Sequence, residues 1–147
     1  MNNREDMESP LITKYLEQYK KNPSSRVFAP LAESYRKVGE FKKALEICKN
    51  GITNHPDHVF GYLVLGKCYY DLSEYELCYK TILPFIAGNK VNISLQKLFA
   101  DTCYQLKKHE ESLKNYKELL FFNPSDSEMS CRVKELEKRS SPFTLKK

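Results

Sequence analysis

Hydrophobic residues recur along the chain at the spacing of amphipathic helices. Phe28, Leu31, Ala32 and Tyr35 follow one another at intervals of three and four residues, which places them on one face of a helix. A second stripe of the same spacing follows a turn at Gly39, and glycine readily closes a helix in the left-handed conformation. This segment is therefore predicted to be a hairpin of two antiparallel helices.

The same hairpin pattern repeats with a period of 34 residues. At that interval one column holds large apolar residues, a second holds small residues and a third holds mainly tyrosine: Leu31, Leu65 and Phe99; Ala32, Gly66 and Ala100; Tyr35, Tyr69 and Cys103. A small side chain in every repeat lets two antiparallel helices approach closely. The register predicts three helical hairpins, at 25–58, 59–92 and 93–126.

One further helix is predicted on each side of the three hairpins. In residues 9–24, Ser9 is suited to cap an amphipathic helix and Pro10 to occupy its first position. Residues 127–139 form a more polar helix, and polar ends keep repeat arrays soluble. The ends of this single domain (1–147) are predicted tails, 1–8 and 140–147.

Two prolines fall within the predicted helices. Pro30 is expected to lie five or six residues into its helix and to bend the second turn, because proline lacks the backbone N–H and clashes with the preceding turn. Pro84 lies near the end of a later helix, which is expected to be kinked or shortened there.

The composition favours a globular protein that needs no disulfide or metal to fold. The chain has 147 residues, 41% of them hydrophobic, and a chain of this length buries roughly 70% of its unfolded surface. No apolar run reaches the ~20 residues of a membrane-spanning helix, and the polar residues 1–9 do not resemble a secretory signal. The five cysteines include no Cys-x-x-Cys pair and are predicted to be buried, reduced thiols, with Cys131 the most accessible. A cytoplasmic protein is therefore predicted.

Neither the charge nor the polar residues indicate nucleic-acid binding or catalysis. The net charge of +5 comes from residues 25–58 (+2) and 127–147 (+3), whereas nucleic-acid binders concentrate their basic residues on one face. The sequence contains no phosphate-binding glycine loop, nucleophile elbow or His-Glu-x-x-His motif. His55 and His58 bracket a Pro-Asp loop, but no Cys or Glu is placed to complete a metal shell. No enzymatic activity, metal or cofactor is predicted.

The repeat resembles the tetratricopeptide repeat (TPR), whose signature is an aromatic residue, Leu-Gly, Tyr, Ala, a second aromatic residue and a closing Pro. The matching residues of the first hairpin are Phe28, Leu31-Ala32, Tyr35, Ala44, Cys48 and Pro56, and those of the second begin with Tyr62, Leu65-Gly66 and Tyr69. The third hairpin departs from the signature with Gln96 in the first aromatic position. The resemblance implies an all-α, right-handed solenoid of antiparallel helix pairs with three full repeats. Residues 26–37 together with His55-Pro56-Asp57 resemble bacterial members.

Most members of this family bind a peptide or a helix of another protein in a concave groove lined by the first helix of each pair. The resemblance therefore implies a non-catalytic adaptor or scaffold with a protein partner and without nucleic-acid binding or membrane insertion. An alternative is a dedicated chaperone for a secreted substrate, similar to the three-repeat chaperones of type III secretion. The oligomeric state stays open. We project the sequence onto the helical faces to predict which residues line the groove. The predicted groove residues are Arg26, Glu33, Arg36, Lys37, Phe60, Leu63, Lys67, Tyr70, Lys97, Asp101 and Tyr104.

Overall fold

Every regular element that the computed structural model describes, over residues 9–140, is an α-helix. The eight helices are α1 (Pro10–Lys21), α2 (Phe28–Lys37), α3 (Phe41–Asn54), α4 (Val59–Asp71), α5 (Tyr75–Ile86), α6 (Ile93–Gln105), α7 (His109–Phe122) and α8 (Ser127–Ser140). The predicted all-α fold is confirmed. The repeat boundaries and the single-domain assignment stay predictions, and the predicted tails lie outside the described residues except for Ser140, which ends α8.

The chain divides into two compact units, Met1–Glu74 and Tyr75–Lys147. In the first unit, α1 begins as predicted: the Ser9 hydroxyl accepts a hydrogen bond from the Ile12 amide at 3.3 Å, and Pro10 is the first helical residue. Proline is suited to this position because its missing N–H would have no partner inside the helix. The apolar side of α1 packs against α2.

The core of the first unit joins all four of its helices. Its buried members are Ile12, Leu31, Ala32, Tyr35, Ala44, Cys48, Val64, Leu65 and Cys68. Phe28 is fully buried at the start of α2 and contacts two glycines on the neighbouring helices. A Cβ atom added to Gly51 would lie 2.1 Å from the Phe28 ring, and one added to Gly61 would lie 2.7 Å from it. The ring thus occupies space that the absence of two side chains leaves open.

The expected position of Pro30, five or six residues into its helix, was wrong, because α2 begins later than the hydrophobic pattern suggested. The helix starts at Phe28, so Pro30 is its third residue. The first four N–H groups of a helix have no intrahelical acceptor, and proline therefore removes no hydrogen bond at this position. Pro84 lies inside α5, which is two residues shorter than α3, in agreement with the shortened helix that the sequence predicted.

The turns within the three helical hairpins share one backbone conformation. Gly39 has a φ of 86°, as predicted, and the residues 34 and 68 positions later, Ser73 and Lys107, have φ values of 60° and 61°. Each turn is closed by an amide of the following residue, such as Glu40, which donates to the carbonyl of Tyr35 at 2.9 Å. The left-handed conformation at the end of the first helix therefore recurs every 34 residues, even where the residue is not glycine.

The second unit has its own core between α6, α7 and α8, formed by Ala100, Tyr116, Leu119, Met129, Val133 and Leu136. Gln96, which departs from the family signature, is buried in α6. Its side-chain amide donates to the carbonyl oxygens of Ile86 at 2.9 Å and Asn89 at 3.0 Å. Gln96 thereby joins α6 to Ile86, the last residue of α5, and to the loop that follows it.

Candidate functional site

In the first unit, a charged cluster joins α2 to α4. The Arg36 guanidinium donates from Nη2 to Glu33 Oε1 at 2.6 Å and from Nη1 to Asp71 Oδ2 at 2.7 Å. Burial acts to lower the pKa of Arg36, but the hydrogen bonds to Glu33 and Asp71 outweigh it and raise the pKa. Arg36 is therefore bound to two carboxylates, which neutralise its positive charge.

A second cluster lies where α2 and α4 begin. Arg26 Nη1 is 3.2 Å from His58 Nδ1. Because a guanidinium has no acceptor, Nδ1 must accept this hydrogen bond, and the His58 ring is neutral. Burial lowers the pKa of His58, as does the charge of Arg26. The ring of Phe60 lies edge-on to His58 at a centroid distance of 6.4 Å, and 40% of Phe60 is exposed.

The remaining residues predicted for the groove in this unit differ in their exposure. Lys37 is exposed, whereas Lys67 and Tyr70 are half-buried. Leu63, expected on the binding surface, is instead part of the interior with only 4% of its surface exposed. The i, i+3, i+4 pattern had placed Leu63 and Phe60 on one face of α4, but packing covers that face at Leu63 and leaves it open at Phe60.

In the second unit, the predicted residues of α6 are bound to α8. Asp101 accepts from Lys97 Nζ at 3.0 Å and, through Oδ1, from Arg132 Nη1 at 2.9 Å. Tyr116 of α7 also donates its hydroxyl to Asp101. The pKa of Tyr116 is raised, first by burial and then by this hydrogen bond. The hydroxyl of Tyr104 donates to Glu135 Oε2 at 2.8 Å.

Arg132 is the residue of this cluster that the sequence analysis missed. Its guanidinium carbon lies 4.3 Å above the Tyr104 ring, and its Nη1 is 2.6 Å from the Tyr116 hydroxyl. Burial acts to lower the pKa of Arg132, but its interactions with Tyr116 and Asp101 raise it. The polar pattern of α8 suggested only a cap, and no signal in that helix alone identified an arginine that stacks on α6.

The cysteines have the exposure that the sequence predicted. Four of them, Cys48, Cys68, Cys78 and Cys103, are buried, and Cys131 is exposed. Burial raises the pKa of Cys68 and Cys103 to about 12, so the thiols rather than the nucleophilic thiolates are present at neutral pH. Within residues 9–140, no group of three or more His, Cys, Asp or Glu residues is placed to hold a metal ion. In the same range, no helix has the length and apolar character needed to cross a membrane.

The sequence also matches a known family. The family described as anaphase-promoting complex, cyclosome, subunit 3 (ANAPC3) matches residues 1–83 and 52–119, which together make up most of the chain. The chain belongs to the ANAPC3 family. No curated protein matches this ANAPC3-family chain in sequence.

Solved structures share the fold of the ANAPC3-family chain at low sequence identity. The crystal structure of MamA matches with a TM-score of 0.75 and 16% identity, over 87% of this chain and 75% of that one. The first TPR of Spaghetti (RPAP3), bound to the HSP90 peptide SRMEEVD, matches with a TM-score of 0.70 and 17% identity, over 80% of this chain and 93% of that one. The first TPR domain of human RPAP3 matches with a TM-score of 0.65 and 18% identity, over 76% and 88% of the two chains. The chain therefore has the fold of TPR domains.

Proposed function

We propose that this protein is a non-catalytic adaptor or scaffold that binds a peptide or a helix of a partner protein. The observation that carries the proposal is the surface of α2 and α4, on which the exposed ring of Phe60 lies edge-on to His58, the side chain that Arg26 contacts. Aromatic residues are among the side chains that most often anchor a protein partner. A TPR domain of similar fold, that of RPAP3, is bound to a peptide, which supports a partner of this class.

The charges of the surface favour an acidic partner. The residues considered for this surface comprise two carboxylates, Glu33 and Asp71, and a larger number of cations. The four cations are Arg26, Arg36, Lys37 and Lys67. Since both carboxylates are already bound to Arg36, the surplus positive charge is carried by the other three cations. We therefore propose that the bound segment combines acidic side chains with an apolar residue that contacts Phe60.

The second unit offers a surface whose side chains are joined to one another. Its α6 residues are held by Arg132, which joins Asp101 to the rings of Tyr104 and Tyr116. Because these side chains are already ordered by one another, a partner that contacts them loses little conformational freedom on their side of the interface. We propose that Lys97 and Tyr104 contact a bound partner in this unit. The bacterial origin, cytoplasmic location, lack of catalysis and lack of nucleic-acid binding remain predictions.

Capture from native extract tests the proposal. The immobilised full chain is compared with Phe60→Ala, with Tyr70→Ala and with the control Val38→Ala, which removes an exposed apolar side chain from the turn after α2. We expect Phe60→Ala to weaken capture of a specific protein by about 1–3 kcal/mol, as loss of an anchoring aromatic residue does. Capture should also weaken with added salt, because exposed charges are screened.

Two outcomes contradict the proposal. Equal capture by all variants, with helical content unchanged, places the binding surface elsewhere on the protein. Capture of one unfolded secreted client, rather than of a folded partner, favours the chaperone over the adaptor.

A further inference from the structure

The two histidines between α3 and α4 take opposite parts in their hydrogen bonds. His55 Nε2 is 2.6 Å from the carbonyl oxygen of Ser24, and because a carbonyl group has no proton to give, this nitrogen donates. His58 Nδ1 is 3.2 Å from Arg26 Nη1 and accepts. A protonated imidazole donates from both of its nitrogens. Protonation therefore preserves the hydrogen bond of His55 and breaks that of His58.

The fold itself does not require a histidine at position 58. His58 precedes the first residue of α4, and the residues 34 and 68 positions later, Asn92 and Asp126, precede α6 and α8. Those two side chains accept hydrogen bonds from backbone amides of the helices that they cap, at 3.1 and 2.9 Å. His58 makes no such capping bond, although capping residues stabilise a helix. Its side chain is used to hold Arg26 instead.

The charged and titratable side chains that face His58 come from two segments. Burial is the largest cause that lowers the pKa of His58, followed by the charge of Arg26 before α2 and by His55 in the loop. Asp57, in the same loop, opposes them. From the helices, the rings of Phe28 and Phe60 lie edge-on to His58 at centroid distances of 5.4 and 6.4 Å.

We propose that His58 regulates the binding surface of α2 and α4 as a proton-dependent switch that holds or releases Arg26. The neutral ring accepts from the guanidinium, whereas a ring that carries a proton on Nδ1 repels it. Arg26 is exposed, so its side chain can turn toward a bound segment without disturbing the core. This inference rests on the proposed function, because it concerns the same surface and the same acidic partner.

Protonation of His58 changes the surface in two ways that both favour an acidic partner. It adds one positive charge beside the exposed ring of Phe60, and it frees the donors of Arg26. Binding should therefore strengthen as the pH falls through the pKa of His58, and by linkage an acidic segment should raise that pKa when it binds. We expect a gain in affinity of roughly threefold to fivefold, which is the upper range for exposed charges.

A proton NMR titration of the full chain tests the contact with Arg26 in the absence of any ligand. The chain has three histidines, and the signals of His58 are assigned by their loss in His58→Asn. The pKa of His58 should lie below the ordinary value of histidine in wild type. It should rise in Arg26→Ala, because the neighbouring charge and the hydrogen bond are removed together. An unchanged pKa in Arg26→Ala would overturn the proposal.

Fluorescence anisotropy tests the effect on binding. The probe is a fluorescein-labelled Asp-Asp-Phe-Asp-Asp peptide, whose aspartates remain mostly ionised at about pH 5. Its dissociation constants at about pH 5 and about pH 7.5 are compared among wild type, His58→Asn and His55→Gln. We expect wild type to bind roughly threefold to fivefold more tightly at the lower pH. Titration of the peptide itself cancels, since every protein is measured with the same probe.

The two variants separate the histidines. His58→Asn should lose most of the pH dependence, because an amide takes up no proton in this range, and asparagine is the residue at the matching position before α6. His55→Gln should retain most of the pH dependence, because the amide nitrogen of glutamine can still donate to the carbonyl of Ser24. Circular dichroism at both pH values checks that the variants keep the helical content of wild type.

The remaining outcomes distinguish this inference from the proposed function. Binding of equal strength at both pH values would refute regulation by His58 and leave the acidic partner standing. No binding at either pH would contradict the acidic partner, and this inference would fall with it. A pH dependence that survives in His58→Asn and disappears in His55→Gln would assign the proton to His55 and overturn the role of His58.

Discussion

The packing of Phe28 predicts that Gly51→Ala destabilises the protein, although alanine is the better helix former. Gly51 lies within α3 and is buried. An added Cβ atom would lie 2.1 Å from Cγ and Cδ2 of Phe28. These atoms belong to the base of a fully buried ring, so a simple rotation of the end of a side chain cannot relieve the contact. The ring as a whole has to move.

The expected loss follows from two opposing effects. Alanine in place of glycine stabilises a helix interior by about 0.8–1 kcal/mol. Overpacking a core costs typically 1–3 kcal/mol, and the upper end applies here because the ring must move by roughly 1 Å or more to reach a normal separation of about 3.5–4 Å. We therefore expect a net loss of about 2 kcal/mol in the free energy of unfolding. For a chain of this size, that lowers the melting temperature by roughly 4–8 °C.

Urea denaturation followed by circular dichroism measures the loss. Gly88→Ala is the matched control, because a Cβ atom at Gly88 meets no atom within 4 Å. We expect it to be neutral or slightly stabilising, since alanine restricts the unfolded chain. A second test combines Gly51→Ala with Phe28→Ala, which removes the clashing ring and itself costs about 3–5 kcal/mol.

In the Phe28→Ala variant, the effect of Gly51→Ala on stability should change sign. Gly51→Ala should then stabilise the protein by up to about 1 kcal/mol. The reasoning is refuted if Gly51→Ala is as stable as wild type in the presence of Phe28. It is equally refuted if the loss persists when Phe28 is absent. Either result would mean that the ring does not occupy the space beside Gly51.

Two further predictions concern the thiols and α8. In the native protein, a thiol reagent should label only the exposed Cys131 rapidly, and denaturation should release the four buried thiols, Cys48, Cys68, Cys78 and Cys103; fast native labelling of any of these four would contradict their burial. Arg132→Ala should lower the free energy of unfolding by about 1.5–3 kcal/mol, because it removes charged hydrogen bonds to the partly buried Asp101. Hydrogen exchange should then accelerate in α8, and Arg132→Lys should recover only part of the loss, since lysine lacks the planar fork. Unchanged exchange in Arg132→Ala would show that this contact does not hold α8.

The local features of the fold could be predicted because they depend on neighbouring residues in the sequence. The hydrophobic spacing predicted the helices. Ser9 and Pro10 predicted the start of α1, and Gly39 predicted the left-handed turn after α2. A repeat makes this easier, since the same conformation recurs every 34 residues, even at Lys107, where a side chain is present. The start of α2 was predicted too early, because hydrophobic spacing does not mark the first helical residue beside Pro30.

The candidate surfaces could be predicted only in part. The helical pattern identified the faces on which Glu33, Arg36 and Asp101 lie. It could not show that Arg36 is already neutralised by Asp71, which lies 35 residues away in the sequence. Nor could it show that Arg132 of α8 holds Asp101, because that contact joins residues 31 positions apart.

The sequence by itself therefore determined which segments are helical, where their turns lie and which residues can form a core. These properties follow from the backbone and from contacts within a few residues. The tertiary structure alone decided that Leu63 is buried while Phe60 is exposed, although both lie on one face of α4. It also decided which charges remain available to a partner. Burial and ion pairing depend on side chains that other helices bring into contact, and the periodicity of one helix carries no information about them.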